Sequence, residues 1–372
     1  MTVWGAAVAG TLAVGLGVVG AVLVLASAGG QPSVDPAQDR AAVAAASAFL
    51  DRYVAADGRV VRHDQGGDTV SEGQAYALLA AMGIRAERRF RRIWRWTRTH
   101  LQRPDALLAW RWSDGRVVDD EPASDADLDA ARALVLAGRR FSDRGLVSAG
   151  VRIGQAVLER EVMRAEHGRP VLVAGPWARE QGVVSLGYAA PRTYAVLERV
   201  TGDGKWGSLA RGDRTTASDL ISIAPGLPPD WAKVGPDGHA VPIARPGDRA
   251  SPRFGLDAQR LPVRFAESCS RIDRKLAADL WPLLRERAES DAMAQSWDLR
   301  GRPSSTPPHP LTWVSAAAAA SAAGDHAARD ALLDRAQAAQ RRSPSYYGEA
   351  WVALGRLMLQ TNRLAGCGLA DD

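Results

Sequence analysis

Ser71-Glu72-Gly73-Gln74-Ala75-Tyr76-Ala77-Leu78-Leu79-Ala80-Ala81-Met82 is the stretch on which the reading of this chain turns. Small apolar residues from Ala77 to Met82 predict a helix. Ser71 and Gln74 fit a capping box, with Ser71 at N-cap and Gln74 at N3. Glu72 has no packing reason to stand one residue inside such a helix. Ser124-Asp125-Ala126-Asp127 repeats the arrangement, with Asp127 at N3. Asp257 opens the run Ala258 to Ala266. Three acids thus stand in, or next to, the first turn of a helix. Any one of them is ordinary there, because acids complement the helix dipole.

Working outward, the helical period continues through almost the whole chain. Apolar residues recur at three- to four-residue spacing over 41–54, 71–83, 87–101, 124–140, 144–162 and 182–200, then over 257–268, 272–288, 311–323, 325–340 and 345–361. No strand-like alternation stands out. Gly and Pro cluster at 222–229, 234–248 and 301–310. The chain is therefore expected to be all-α, with eleven or twelve helices. No fixed-period repeat marks a solenoid. The uneven connections favour a closed toroid, (α/α)6, with six inner helices ringed by six outer ones. Inner helices of such a toroid run the same way, so their N-termini converge. If Glu72, Asp125 and Asp257 lie on inner helices, they meet in one cleft.

Residues 3–28 carry no charge, and the first ionisable side chain is Asp35. The run is long enough to span a bilayer, and it ends in Ala26-Ser27-Ala28, which fits a small-x-small cleavage site. Residues 1–28 are expected to be a signal peptide or a membrane anchor, 29–36 a linker, and 37–372 the catalytic body, outside the cytoplasm. The chain has 46% hydrophobic and 24% charged residues, enough for a large core. The charge of +5 comes almost wholly from arginine, since lysine occurs only at 205, 233 and 275. Acids are interspersed with the arginines, and no like-charge run appears, so a nucleic-acid surface is not expected. Cys269 and Cys367 form no metal-binding pattern; no metal or cofactor is expected. One disulfide or two buried thiols both fit.

Paired carboxylates flanking a bond are what glycoside hydrolysis needs. One must stay protonated and the other ionised. A helix N-terminus lowers a carboxyl pKa, so an acid role for Glu72 requires desolvation or a neighbouring charge, from Asp125 or Asp127, to outweigh the dipole. Leu108-Ala109-Trp110-Arg111-Trp112 precedes the Asp125 helix in a loop-like stretch. Its tryptophans can stack on sugar rings and Arg111 can reach hydroxyls; at least one of the tryptophans is expected to be core. Trp94 and Trp96 read as structural. Arg260, one helical step from Asp257, can hold that carboxylate ionised or form a plain surface pair.

These residues resemble glycoside hydrolase family 8, the cellulase-like family that includes endoglucanases associated with bacterial cellulose synthesis. The resemblance runs from about 45 to 361. Its motifs are Ser71 to Tyr76, Leu108 to Trp112, Ala123 to Leu128, Tyr188 to Pro191, Pro229-Asp230-Trp231, Asp257 to Arg260 and Tyr346-Tyr347-Gly348. It implies an (α/α)6 toroid and an inverting endo-β-1,4-glucanase, with Glu72 as general acid, Asp257 as general base and Asp125 at the central sugar subsite. Arg260 and a tyrosine, Tyr188 or Tyr194, would hold the base and its water. Trp110, Arg111, Trp112 and Asp127 would complete the substrate site. Chitosan, xylan, mixed-linkage glucan, and a weakly catalytic polysaccharide-binding role beside a polysaccharide synthase are the alternatives. The chain departs from the family pattern at Ala130, at Ser185-Leu186-Gly187, where relatives tend to show Asn-Pro-Ser, and at Leu256, where a tyrosine is common. The acid, the base and Asp125 are intact.

Overall fold

Helices that are apolar on all sides belong in an interior, and those with one apolar stripe belong around it. The computed structural model describes residues 34–223, 226–364, 366 and 367; the expected N-terminal leader and most of the linker lie outside them. Residues from Val34 onward form one compact unit. Its helices are α1 (Pro36–Tyr53), α2 (Ser71–Gly83), α3 (Glu87–His100), α4 (Ser124–Arg140), α5 (Arg144–Arg160), α6 (Pro191–Thr201) and α7 (Lys205–Ile221). There follow α8 (Arg260–Ala266), α9 (Arg271–Ala278), α10 (Trp281–Glu289), α11 (Pro310–Ala322), α12 (His326–Arg342) and α13 (Tyr346–Gln360).

In α2, every residue but Glu72 is buried. α11 and α13 are nearly as enclosed. α3, by contrast, buries only one stripe: Phe90, Ile93, Trp94, Trp96 and Thr97. The inner helices α2, α4, α6, α8, α11 and α13 each pack on the next, and α13 returns to α2 to close the ring. α1, α3, α5, α7 and α12 lie outside, together with α9 and α10. The last two are one outer helix broken near Leu280. Pro282, in the first turn of α10, has no N–H and disfavours a continuous helix there. The fold is an (α/α)6 toroid.

Turns from an inner helix to the next outer one are short: 84–86, 141–143, 202–204, 267–270 and 323–325. Most connections from outer to inner helices are long, and they hold all the strands described. These are β1 (Thr69–Val70), β2 (Ala109–Ser113), β3 (Arg116–Pro122), β4 (Val162–Arg164), β5 (Pro170–Leu172), β6 (Val183–Val184), β7 (Trp231–Val234), β8 (Ala240–Ile243), β9 (Arg253–Phe254), β10 (Ser296–Asp298) and β11 (Pro303–Ser305). They form small antiparallel sheets in the orders β1-β2-β3, β4-β5, β6-β7-β8 and β11-β10-β9. The long connections therefore gather where the inner helices begin.

Three sequence expectations are corrected. Residues 182–200 are not one helix: β6 and a 3-10 turn, Leu186–Tyr188, precede α6. The stretch around Trp110 is a strand, not a loop. α7 has no counterpart among the expected helices. Its buried face includes Gly212, Asp213 and Thr216, which hide the apolar period. Gly212 is there because Pro170 O would lie 1.7 Å from a Cβ.

Among the described residues, no helix is long and apolar enough to cross a membrane. Cys269, just past α8, is disulfide-bonded to Cys367.

Candidate active site

The inner helices that begin at the cleft carry its charges. Neither expected capping box forms. The N-caps of α2 and α4 are Val70 and Ala123, without side-chain caps. Ser71 Oγ is buried with no hydrogen-bond partner. Gln74 turns away from its own helix, accepting from Val60 N–H at 2.6 Å and donating to Thr97 Oγ1 at 2.8 Å. Ser124 Oγ donates to Val173 O at 2.8 Å. These side chains brace loops, which leaves the helix starts open towards the cleft.

Arg260, the first residue of α8, is the hub. It is 1% exposed. Its Nη1 donates to Asp125 Oδ2 at 2.6 Å and to Tyr76 Oη at 3.3 Å, and lies 3.7 Å from Glu72 Oε2. Its Nη2 donates to Asp257 Oδ1 at 2.9 Å. The guanidinium also lies 4.7 Å from the ring centre of Tyr188. Three carboxylates, from α2, α4 and the turn before α8, thus converge on one buried cation. The Arg260–Asp257 pair is the expected i,i+3 contact, with its arginine buried and not at the surface.

The three acids differ in setting. Asp125 is 2% exposed, with Oδ1 unpartnered. Glu72 and Asp257 reach the cleft, with 21% and 27% of their side chains exposed. Burial, and then the charge of Asp125, push the Glu72 carboxyl up to about 7, against the pull of Arg260. Asp257 accepts on both oxygens, from Arg260 and from Trp231 Nε1 at 3.1 Å. Asp230 pins the turn that carries Asp257: its Oδ1 accepts from Gly255 and Ala258 N–H, each at 2.9 Å. Burial and the nearby Asp257 charge push Asp230 up to about 6.

The cleft around Glu72 and Asp257 has a volume of about 350 Å³, and Arg62, Trp110, Tyr188, Trp231 and Tyr347 line it. A second hollow of about 320 Å³ shares Trp110, Tyr188, Trp231 and Arg245 with the first and adds Trp177. Together they make a groove walled by aromatic faces, with the carboxylates to one side. Among the described residues, no cluster of His, Cys, Asp or Glu is arranged to hold a metal ion.

Other candidate residues lie away from this groove. Arg111 Nε is bound to Asp68 Oδ2 at 2.6 Å, and Asp68 also pairs with Arg62. Trp112 packs under Arg59, 4.3 Å from its ring centre, and edge-on to Trp96. In a regular strand Trp110 and Trp112 would share a face. Register shifts on both sides of Arg111 break that alternation and send them apart. Asp127 is fully buried and accepts from Leu108 N–H at 2.8 Å, so it holds the strand beneath the groove instead of facing substrate. Tyr194 is buried and donates to Asp213 Oδ2 at 2.7 Å, tying α6 to α7; Tyr188 is the tyrosine at the carboxylates. Asp230, Trp231 and Tyr347 stand in the sequence within motifs of the family resemblance, without an individual role. Trp177 and Arg245 carried no signal there, since only the fold brings their loops to the groove.

Comparison with known proteins agrees with this geometry. The family model for glycosyl hydrolases family 8 matches residues 35–270. A probable endoglucanase of Novacetimonas hansenii is 32% identical, over 66% of this chain and 72% of that protein. An endoglucanase of Xanthomonas axonopodis pv. citri is 36% identical, over 50% of this chain and 51% of that one. Among solved structures, the endo-beta-1,4-glucanase CMCax from Acetobacter xylinum superposes with a TM-score of 0.73 at 27% identity, covering 86% of this chain and 98% of that one. A toroid with carboxylates at the starts of its inner helices, together with these matches, places the chain in glycosyl hydrolase family 8, as a cellulase-like glycosidase.

Proposed function

We propose that this enzyme is an inverting endo-β-1,4-glucanase, with Glu72 as general acid and Asp257 as general base. The observation that carries the reading is the bridging of Glu72 and Asp257 by Arg260. The two carboxylates share a cation but have opposite settings. Glu72, pushed up to about 7, is still protonated in about half of the molecules at pH 7 and can give that proton to the glycosidic oxygen. Asp257 accepts from two donor-only groups, the arrangement of a carboxylate held as an acceptor. Since one guanidinium contacts both, the bridged oxygens lie no more than about 9 Å apart. That is within the ~9.5 Å upper end of inverting sites, which must admit a water.

In this mechanism Asp257 takes a proton from that water as its oxygen bonds to the anomeric carbon. The bond to the leaving sugar breaks on the opposite face, and Glu72 protonates the departing oxygen. Arg260 touches both carboxylates, so it stays paired as negative charge passes from Asp257 to Glu72. The aromatic groove suits an uncharged β-glucan chain. The endoglucanase names of the relatives support the same substrate.

The test is reducing-sugar release from soluble β-1,4-glucan, mixed-linkage glucan, xylan and chitosan by wild type, Glu72→Gln and Asp257→Asn. Both variants are expected to lose about 10²–10⁴-fold in kcat, the scale of general acid–base catalysis, while still binding glucan. The first product, read by NMR, is expected as the α-anomer. Wild-type turnover in either variant, or a β-anomer, overturns the assignment. No release from any glucan by wild type would make this a binding protein.

A further inference from the structure

Pro229-Asp230-Trp231 stands in the sequence with no role in the chemistry so far derived. We propose that Asp230 and Trp231 are positioning residues for Asp257, together fixing both the turn that carries the base and the oxygen that receives the proton. The proposal rests on the reading of Asp257 as the base.

Two adjacent residues act on Asp257 in different ways. Asp230 acts on the backbone. The turn before α8 has no side-chain cap of its own, and Asp230 Oδ1 binds the N–H groups of Gly255 and Ala258 on either side of the base. The carboxylate lies flat against the turn: a Cβ on Gly255 would sit 2.4 Å from Asp230 Oδ2. Asp230 is itself held, since its N–H donates to Arg253 O at 2.7 Å and Arg253 Nε lies 3.5 Å from Oδ2. From behind, Gly187 closes on the turn: a Cβ there would lie 1.9 Å from Asp257 O. A serine at 187 does not fit this packing, which gives the departure at Ser185-Leu186-Gly187 a structural meaning.

Trp231 acts on the side chain. It sits in β7, paired on both edges, Ala232 with Val184 and Trp231 with Ile243. Its indole N–H therefore has a fixed direction, and it donates to Asp257 Oδ2. With Arg260 on Oδ1, the carboxylate is held at both oxygens and cannot rotate freely, while each oxygen retains a lone pair for water. The carboxylate is further faced by the titratable groups of Glu72 from α2, Tyr347 from α13, and Tyr188 and Asp230 from the loops, the two tyrosines being neutral. Trp231→Phe leaves all of these in place and keeps an aromatic wall.

The experiment compares kcat and KM of Trp231→Phe, Asp230→Asn and Asp230→Ala, with Asp257→Asn in parallel. Trp231→Phe is expected to lower kcat by about 10- to 100-fold, the equivalent of a hydrogen bond to a charged group, with KM within about twofold. Asp230→Asn keeps an acceptor oxygen and should restore most of the kcat that Asp230→Ala loses. A Trp231→Phe enzyme with wild-type kcat, while Asp257→Asn is inactive, overturns the role of Trp231. Equal losses in Asp230→Asn and Asp230→Ala overturn that of Asp230. Activity retained by Asp257→Asn overturns the base assignment instead, and is a separate result.

Discussion

At Glu72 two electrostatic effects oppose each other. The start of α2 favours an ionised carboxylate, by about 0.3–1 kcal/mol in a typical exposed setting. Burial and Asp125 favour the neutral acid and carry the group to about 7, which against an ordinary glutamate is on the order of 3 kcal/mol. Burial and the neighbouring charge win, and about half of the molecules keep the proton at pH 7. This fixes the sign of a pH effect. The acid works when protonated, so the alkaline limb of kcat/KM should fall near pH 7. In Asp125→Asn the limb should move to lower pH by about one unit, the scale of a neighbouring charge. Both consequences of that change point the same way: a raising charge is lost, and Arg260 is freed to act more strongly on Glu72. A pH–rate profile checks it, and an unmoved limb would rule out Asp125 as the tuning charge. The sequence exposed the conflict at Glu72 but not its outcome, which depends on residues 53 and 188 positions further on being brought to the same point. Glu161 was not legible at all. It reads as the polar end of a helix, yet it is buried with both oxygens unpartnered, and burial and Asp127 hold its carboxyl well above the usual range.

Among elements, α4 and α8 are separated in the ring by α6, yet their charged side chains meet. Asp125 meets Arg260, Asp129 meets Arg264 in a two-bond pair at 2.7 and 2.5 Å, and Arg132 meets Glu267 at 2.8 Å on both oxygens. The hub of the active site is the top of this ladder. A buried pair contributes little net stability beside a well-packed apolar one, but removing one partner strands a charge. Arg264→Met should therefore cost about 3–5 kcal/mol, while Asp129→Leu with Arg264→Met should recover most of it. Urea unfolding of the two proteins measures this; equal losses would mean that packing, not charge, dominates there. The ladder shows which elements could be read in advance. Helices with a plain apolar period are visible in the sequence, but not their inner or outer place. The ladder residues looked like surface charge on amphipathic helices, because a sequence does not say which helix faces the axis. α7 and the short strands failed for a related reason. Gly212, Asp213 and Thr216 are buried by close backbone approach and hydrogen bonds, and the strands are too short to establish a period. Of the candidate residues, Glu72, Asp257, Asp125, Arg260, Trp110 and Tyr188 come together at one groove. Trp112, Asp127 and Tyr194 have the right chemistry but face other elements.

For the molecule as a whole, the disulfide joins the far end of the ladder to the end of the chain. Cys269 follows α8, on the side opposite Arg260, and Cys367 belongs to the segment after α13. That segment caps the ladder: Arg132 Nη2 donates to Leu364 O at 2.9 Å, and Arg192 donates to Gly366 O at 3.2 Å and to Cys269 Sγ at 3.1 Å. The bond spans 98 residues of sequence, so in a chain-entropy account it stabilises the fold by roughly 4–5 kcal/mol. Disulfides persist in oxidising compartments. With the uncharged 3–28 segment, this supports the inference that the enzyme works outside the cytoplasm, either secreted or anchored by that segment. Protein taken from its native cells into an alkylating quench should accordingly show no free thiol. Reduction and alkylation of the purified enzyme should then lower its unfolding free energy by about that 4–5 kcal/mol, with kcat at 25 °C nearly unchanged, because the carboxylates lie at the other end of α8. Full thiol labelling in the cell would contradict export. A large loss of kcat without loss of stability would mean that the tail reaches the active site through the ladder, and that the two ends of α8 are not independent.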